Sequence, residues 1–186
     1  KSKNLAMAIK AVKLCGLSDK LIYQSIKKIK DVDGRLELVK KYPNNIRVFV
    51  DYAHTPDALK KAIESLKIDH SNNISLIFGC GGERDRKKRP LMARIASTNC
   101  KKIYITDDNP RNENPEKIRK ELLKHIEKKK AKNIGNRFLA IKKAIQNSGP
   151  QEVILIAGKG HEEKQFYKNK ILNISDKKII KLLKIR

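Results

Sequence analysis

Four polar segments, each directly after an apolar run, carry the side chains best suited to chemistry: Asp51-Tyr-Ala-His54, Gly79-Cys-Gly-Gly-Glu-Arg-Asp85, Thr106-Asp-Asp-Asn-Pro-Arg111 and Gly158-Lys-Gly-His-Glu162. The chemistry they suit is recognition of mixed charge. Arg84 and Arg111 can grip a carboxylate through the planar guanidinium fork, and Asp108 and Glu162 can accept from an ammonium. Together they complement the head of a free amino acid. Taken singly, each of these charges is equally at home on a solvated rim. His54 and His161 can serve as acid–base groups or as hydrogen-bonded structural residues. Asp51 closes an apolar run, where it can orient a ribose or His54. His70 and His125 sit in polar stretches and support no assignment. No Ser-His-Asp or Cys-His arrangement is legible.

The glycines around Gly79 and Gly158 invite comparison with phosphate-binding loops. Neither segment has the spacing G-x-x-x-x-G-K-[ST] or G-x-G-x-x-G, and glycine also serves any chain that must turn sharply after a strand. The positioning elements follow from periodicity. Residues 5–15 and 19–29 read as helices, the first with Leu5, Ile9 and Val12 on one face and Gly16 as its stop. Asp31-Val-Asp-Gly34 breaks the pattern, and a boundary is placed there, giving a helical stub over 1–33 and a domain over 34–186. Residues 35–39 and 46–50 predict a hairpin about Tyr42-Pro-Asn-Asn45. Beyond it strands and helices alternate. Thr55-Pro56 caps and opens a helix carrying Leu59, Ile63 and Leu66. Strands are expected at 74–78, 103–106 and 152–157, and helices at 88–98, from about Pro115, at 140–145 and at 175–183. The expected class is therefore α/β: a Rossmann-like, mostly parallel sheet with helices on both faces, preceded by the short helical stub. In such sheets ligands bind beyond the carboxyl ends of the strands, where all four polar segments fall.

Composition narrows the function. The chain has 186 residues, 39% of them hydrophobic, which suits one globular domain with a fragment of another. No apolar run reaches the ~18 residues of a membrane span. Cys15, Cys80 and Cys100 are scattered, without the paired spacing of a zinc site or a disulfide framework, so a reducing, cytoplasmic setting is expected. The net charge of +24 would attract nucleic acid or another polyanion. The lysines are nevertheless spread along the whole chain and accompany abundant Ile and Asn, the pattern of compositional drift, so a nucleic-acid partner is not expected.

At the four loops the sequence resembles a known family. The matching motifs are Gly34-Arg-Leu-Glu37, Val50-Asp-Tyr-Ala-His-Thr-Pro-Asp-Ala-Leu59, Phe78-Gly-Cys-Gly-Gly82 with Arg84-Asp85, Lys88-Arg-Pro-Leu-Met92, Asp108-Asn-Pro-Arg111 with Glu113, and Ala157-Gly-Lys-Gly-His-Glu162. In order and spacing they are similar to the Mur ligases, and within that family to the members that add meso-diaminopimelate. Residues 5–16 resemble the end of the family's central ATPase domain. Glu83 stands where the family usually has Asp, and Leu36 where it usually has Met.

The resemblance implies an ATP- and Mg²⁺-dependent ligase of peptidoglycan precursor synthesis. A carboxylate of UDP-N-acetylmuramoyl-L-Ala-D-Glu would be phosphorylated and the acyl phosphate attacked by the amine of diaminopimelate. The portion present would bind the incoming amino acid and close over ATP. Carried over by motif, Arg84, Asp108, Asn109, Pro110, Arg111, Gly158 and Glu162 would hold diaminopimelate, and Arg35, Asp51 and His54 would face ATP. The resemblance places no catalytic residue and no Mg²⁺ ligand in this chain; these, with the phosphate loop and the UDP-binding domain, belong to central and N-terminal domains, and the chain alone is expected to be inactive. The alternatives are a lysine-adding or folylpolyglutamate-type ligase of the same superfamily, or a non-catalytic basic α/β module that binds RNA or other polyanions.

Overall fold

The computed structural model describes residues 2–29, 32–70 and 72–184. The chain divides into two compact units, Lys1–Val32 and Asp33–Arg186. In the first, helix α1 spans Ser2–Leu14 and α2 spans Asp19–Ile26, the latter capped by the Ser18 side chain. Residues 27–29, expected to be helical, lie past its end, and Asp31 of the expected boundary lies outside the described residues. Gly16 takes the left-handed conformation (φ 83°) that ends α1.

In the second unit a six-stranded sheet runs in the order β1-β2-β6-β3-β4-β5. Its strands are β1 (Glu37–Tyr42), β2 (Ile46–Asp51), β3 (Ile74–Phe78), β4 (Lys102–Ile105), β5 (Ala131–Asn133) and β6 (Val153–Ala157). Only β1, on the edge, runs antiparallel to its neighbour. The helices are α3 (Pro56–Asp69), α4 (Lys88–Asn99), α5 (Pro115–Leu123), α6 (Arg137–Gln146) and α7 (Asp176–Leu182). Four of them begin at caps that the sequence writes plainly: Thr55 before Pro56, Asn114 before Pro115, Asn136 and Ser175 each accept a backbone N–H of the first turn.

Alternation along the strands sorts the core into two layers, because successive side chains of a strand point to opposite faces. Leu76, Phe78, Val153 and Leu155 pack with Leu59, Ile63, Met92, Ile118 and Leu122 of α3, α4 and α5. Ile77, Tyr104, Ile154 and Ile156 pack with Ile141, Ala144, Ile145 and Ile180 of α6 and α7. Each fully buried aliphatic side chain stabilises the fold by roughly 1.5–3 kcal/mol relative to exposure. The path of the chain changes face after β5: α6 crosses the opposite side of the sheet and returns the chain as β6 between β2 and β3. That reversal opens a crevice at the carboxyl ends of the central strands.

Within the second unit helix α6 starts at Arg137, three residues before its expected start, and the strands depart from the sequence-based expectation in three further places. The first strand begins at Glu37 instead of Arg35, because Gly34 (φ 65°) and Leu36 (φ 48°) are left-handed and cannot join an extended ladder. Strand β5 was not anticipated; three residues with one apolar side chain leave no periodic signal. A second sheet, the hairpin of β7 (Lys164–Tyr167) and β8 (Lys170–Asn173), also lay outside the expectation, since β8 is exposed along its length.

Candidate functional site

The loops after β2, β3, β4 and β6 meet at the carboxyl edge of the sheet. They enclose a cleft of about 210 Å³ whose lining includes Tyr52, His54, Gly81, Arg84, Lys88, Asp108, Asn109, Arg111, Gly158 and Glu162. Glycines let the loops touch. A Cβ on Gly82 would lie 1.8 Å from the Pro110 carbonyl oxygen, one on Gly79 would lie 2.2 Å from that of Thr106, and one on Gly158 would lie 2.6 Å from Asp108 Oδ2. Left-handed non-glycine residues also collect here, at Leu36, Glu83 (φ 53°) and Arg111 (φ 53°). Such conformations persist where surrounding contacts over-determine them, and binding loops are a common setting.

Three cationic side chains reach the cleft: Lys88, whose ammonium donates to the His54 carbonyl (2.9 Å), Arg111 and Arg84. Arg111 Nη1 donates to the carbonyls of Gly82 (2.9 Å) and Asn109 (3.2 Å). Its Nε and Nη2 make no hydrogen bond to the described residues, so the fork is anchored at one corner and open on the other. Arg84 is exposed and donates only to the Glu83 carbonyl (3.2 Å). The acids stand across the same cleft. Asp108 Oδ1 accepts the Asn109 N–H (2.7 Å). Burial pushes the Asp108 carboxyl above its ordinary pKa, against the pull of Arg137 and Lys159. Glu162 is also partly desolvated, which would raise it, but hydrogen bonds from Lys159 and Asn109 hold it below its ordinary value. Lys159 is fully buried and its ammonium donates to Glu162 Oε2 (3.0 Å), Asn109 Oδ1 (3.3 Å) and the Lys164 carbonyl (2.5 Å).

Behind the lining, Arg89 is buried and bonds both carboxylate oxygens of Glu113 (2.9 and 3.0 Å), Glu121 (2.7 Å) and the Gly81 carbonyl (3.2 Å). Glu113 in turn accepts the Glu83 N–H (2.6 Å). Its hydrogen bonds to Arg89 outweigh desolvation and lower its pKa to about 2. Arg89 and Glu113 thus staple the β3 loop to the β4 loop. Arg137 and Asp176, both fully buried, form a bidentate pair at 2.7 and 2.8 Å beneath the Asp107 and Ala157 carbonyls.

The residues singled out from sequence are placed as follows. Arg84, Asp108, Asn109, Arg111, Gly158, Glu162 and His54 line the cleft. Pro110 does not; it is buried, with its carbonyl packed against Gly82. Arg35 stacks over the Tyr52 ring at 4.7 Å, and Tyr52 also contacts the rings of His54 and His161. Asp51 accepts the N–H groups of Leu36 (2.5 Å) and Ala53 (2.7 Å), tying the segment before β1 to the β2 loop. Tyr52 and Lys88 were not among the expected ligand-binding residues. Both sit inside the quoted motifs, which was the available signal. Among the described residues no three His, Cys, Asp or Glu side chains gather as a metal site, and no helix is long and apolar enough to cross a membrane.

The fold is thus an open α/β sheet with a polar cleft of both charges at its switch point. The family described as "Mur ligase, glutamate ligase domain" matches residues 34–160, and the chain belongs to the Mur ligases. It is 42% identical over 182 residues to a UDP-N-acetylmuramoyl-L-alanyl-D-glutamate–2,6-diaminopimelate ligase of Rickettsia montanensis, covering 97% of this chain and 37% of the relative. To the ligase of the same name from Buchnera aphidicola subsp. Schizaphis graminum it is 47% identical over 169 residues, covering 90% of this chain and 33% of the relative. A solved structure of a ligase with that name superposes with a TM-score of 0.74 at 33% identity, over 97% of this chain and 37% of that one. A folylpolyglutamate synthase from Thermotoga maritima shares the fold, with a TM-score of 0.59 at 24% identity over 83% of this chain and 34% of the other. The chain thus spans about a third of the length of the relatives it matches.

Proposed function

We propose that this chain is the amino-acid-binding portion of a cytoplasmic ligase that uses ATP and Mg²⁺ to join meso-diaminopimelate to UDP-N-acetylmuramoyl-L-Ala-D-Glu, and that Lys1–Val32 continues a central ATPase domain. The observation that carries this reading is the half-anchored guanidinium of Arg111 lining the same cleft as Asp108 and Glu162. Diaminopimelate has two amino-acid heads. One amine must stay free to attack, so the other head has to be held, carboxylate and ammonium together. The open Nε and Nη2 of Arg111 suit that carboxylate, Arg84 stands at the mouth as a second donor, and Asp108 and Glu162 suit the ammonium. Lysine lacks the distal carboxylate and would leave the Arg111 fork without its anion, a costly state for a partly buried charge.

Arg35, Asp51, His54 and Tyr52 form a second cluster beside the cleft, the surface offered to ATP. Asp51 would act there by fixing its two loops, and Arg35 and His54 by direct contact. The Mg²⁺ ligands would come from the central domain.

Calorimetric titration of the chain with meso-diaminopimelate, L-lysine and L-glutamate, alongside a salt-dependent titration with RNA, tests the reading. Saturable binding of meso-diaminopimelate, tighter than that of either other amino acid, is expected. Equal affinity for lysine, or strongly salt-dependent RNA binding as the only interaction found, would refute it.

A further inference from the structure

Hairpin β7–β8 poses a physical problem. It stands outside the main sheet, β8 is exposed throughout, and Phe166, Ile171 and Leu172 are open to solvent. An isolated two-stranded hairpin is marginal in water, so other contacts must hold it. Besides the Lys159 ammonium on the Lys164 carbonyl (2.5 Å), they come mainly from one stretch of chain, residues 107–111. Gln165 is buried, and its Nε2 donates to the carbonyls of both Asp107 (3.0 Å) and Asp108 (2.6 Å). The Phe166 N–H donates to Asn109 Oδ1 (3.1 Å), and the Phe166 carbonyl accepts the Arg111 N–H (3.0 Å). Tyr167 OH donates to Asp107 Oδ2 (2.9 Å), and Arg111 and Tyr167 form a bridge. The β4 loop is therefore knitted to β7 as though it were a further strand. It needs that support, because a side chain with a Cβ resists the left-handed backbone that Arg111 adopts.

We infer that Gln165 is a positioning residue: by bonding two consecutive carbonyls it fixes the path of residues 107–111, and so aims the Arg111 guanidinium into the cleft and sets the preference for a ligand with a distal carboxylate. The other ties from the hairpin are backbone groups or the partly exposed Tyr167. Gln165 is the buried side chain whose replacement by an isosteric apolar one would strip the Asp108 carbonyl of its donor and leave the Asp107 carbonyl only the 3.5 Å contact from Arg137. This rests on the assignment of Arg111 to the ligand carboxylate.

The test compares the wild-type chain with Gln165→Met, which keeps the volume and removes both donors. Two readouts are taken: amide hydrogen exchange at Arg111 against Ile156 in the core, without ligand, and the ratio of the calorimetric Kd values for L-lysine and meso-diaminopimelate. Exchange at Arg111 should quicken by about tenfold or more with Ile156 unchanged. The ratio should fall on the order of 10- to 100-fold, through weaker diaminopimelate binding with lysine binding retained, because displacing a recognition group by about 1 Å can cost roughly 100-fold. Wild-type protection at Arg111 would overturn the inference. So would an equal quickening at Arg111 and Ile156, or a quickening at Arg111 with the ratio kept. Absence of any diaminopimelate preference in the wild type is a different result: it removes the substrate reading and leaves the exchange data to decide whether Gln165 holds the loop. Should Gln165→Met fail to fold, Tyr167→Phe is read the same way with a smaller shift.

Discussion

The two ends of the parallel sheet bury acids in opposite ways. At the amino end, Glu152 is 2% exposed and accepts from Ser75 Oγ (2.5 Å), Lys102 Nζ (3.0 Å) and the Gly149 N–H (2.9 Å). Its carboxylate is closed on the protein, as a structural group should be. At the carboxyl end the pair Arg137–Asp176 is closed in the same manner and Arg89–Glu113 nearly so, the Arg89 Nε alone lacking a partner among the described residues; both lie one layer behind a cleft where Arg111, Arg84 and Asp108 keep capacity to spare. The difference teaches that buried polarity alone does not mark a site. What marks it is polarity left incomplete and held in place by polarity that is complete.

Cutting the support at the carboxyl end should have the largest effect. Arg137→Ala strands the Asp176 carboxylate in the core and should cost about 3–5 kcal/mol in urea unfolding. The folded fraction should also bind diaminopimelate more weakly, because the Ala157 carbonyl loses its Arg137 donor and the Asp107 carbonyl the longer of its two. Glu152→Ala, at the other end, should cost roughly 1–3 kcal/mol, the penalty of leaving buried donors unsatisfied, while ligand affinity under native conditions stays at the wild-type value. A loss of affinity in Glu152→Ala equal to that in Arg137→Ala would erase the contrast between the two ends.

A smaller effect separates the staple from its surroundings by pH. The folded-state pKa of Glu113, about 2, lies below its ordinary 4.5. Its contribution is therefore complete above about pH 4.5 and is lost as the pH falls through about 2. The urea midpoint of Glu113→Gln should lie below that of the wild type at neutral pH, and the two should converge toward pH 2. Parallel curves across that range would show that the Arg89–Glu113 bond does not carry the difference.

Much of this organisation was legible in the sequence. Helix caps at Thr55, Asn114 and Ser175, and the apolar strands at 74–78 and 153–157, carry local signals that tertiary packing only confirms. The four polar loops declared themselves because each follows such a strand. What stayed hidden depends on non-local pairing. Strand β5 is three residues long, and the side that β7 buries carries Gln165 and Tyr167 instead of an apolar run while β8 is exposed, so neither has an apolar period to detect. Lys159, Arg89 and Arg137 read as surface charges among 44 Lys and Arg residues; only the folded chain shows them buried beneath the site. Asp51, expected beside ATP, is seen tying two loops together, a role set by backbone N–H groups that no side-chain pattern encodes.

The central claim is that Arg111 reads a second carboxylate. It is tested most directly by titrating wild-type and Arg111→Ala chains with meso-diaminopimelate and with L-lysine. The account predicts that the wild type favours diaminopimelate and that Arg111→Ala loses about 2–5 kcal/mol toward diaminopimelate alone. Lysine binding should be little changed, so that the two affinities draw together. An Arg111→Ala chain that kept the wild-type ratio of the two affinities would contradict it.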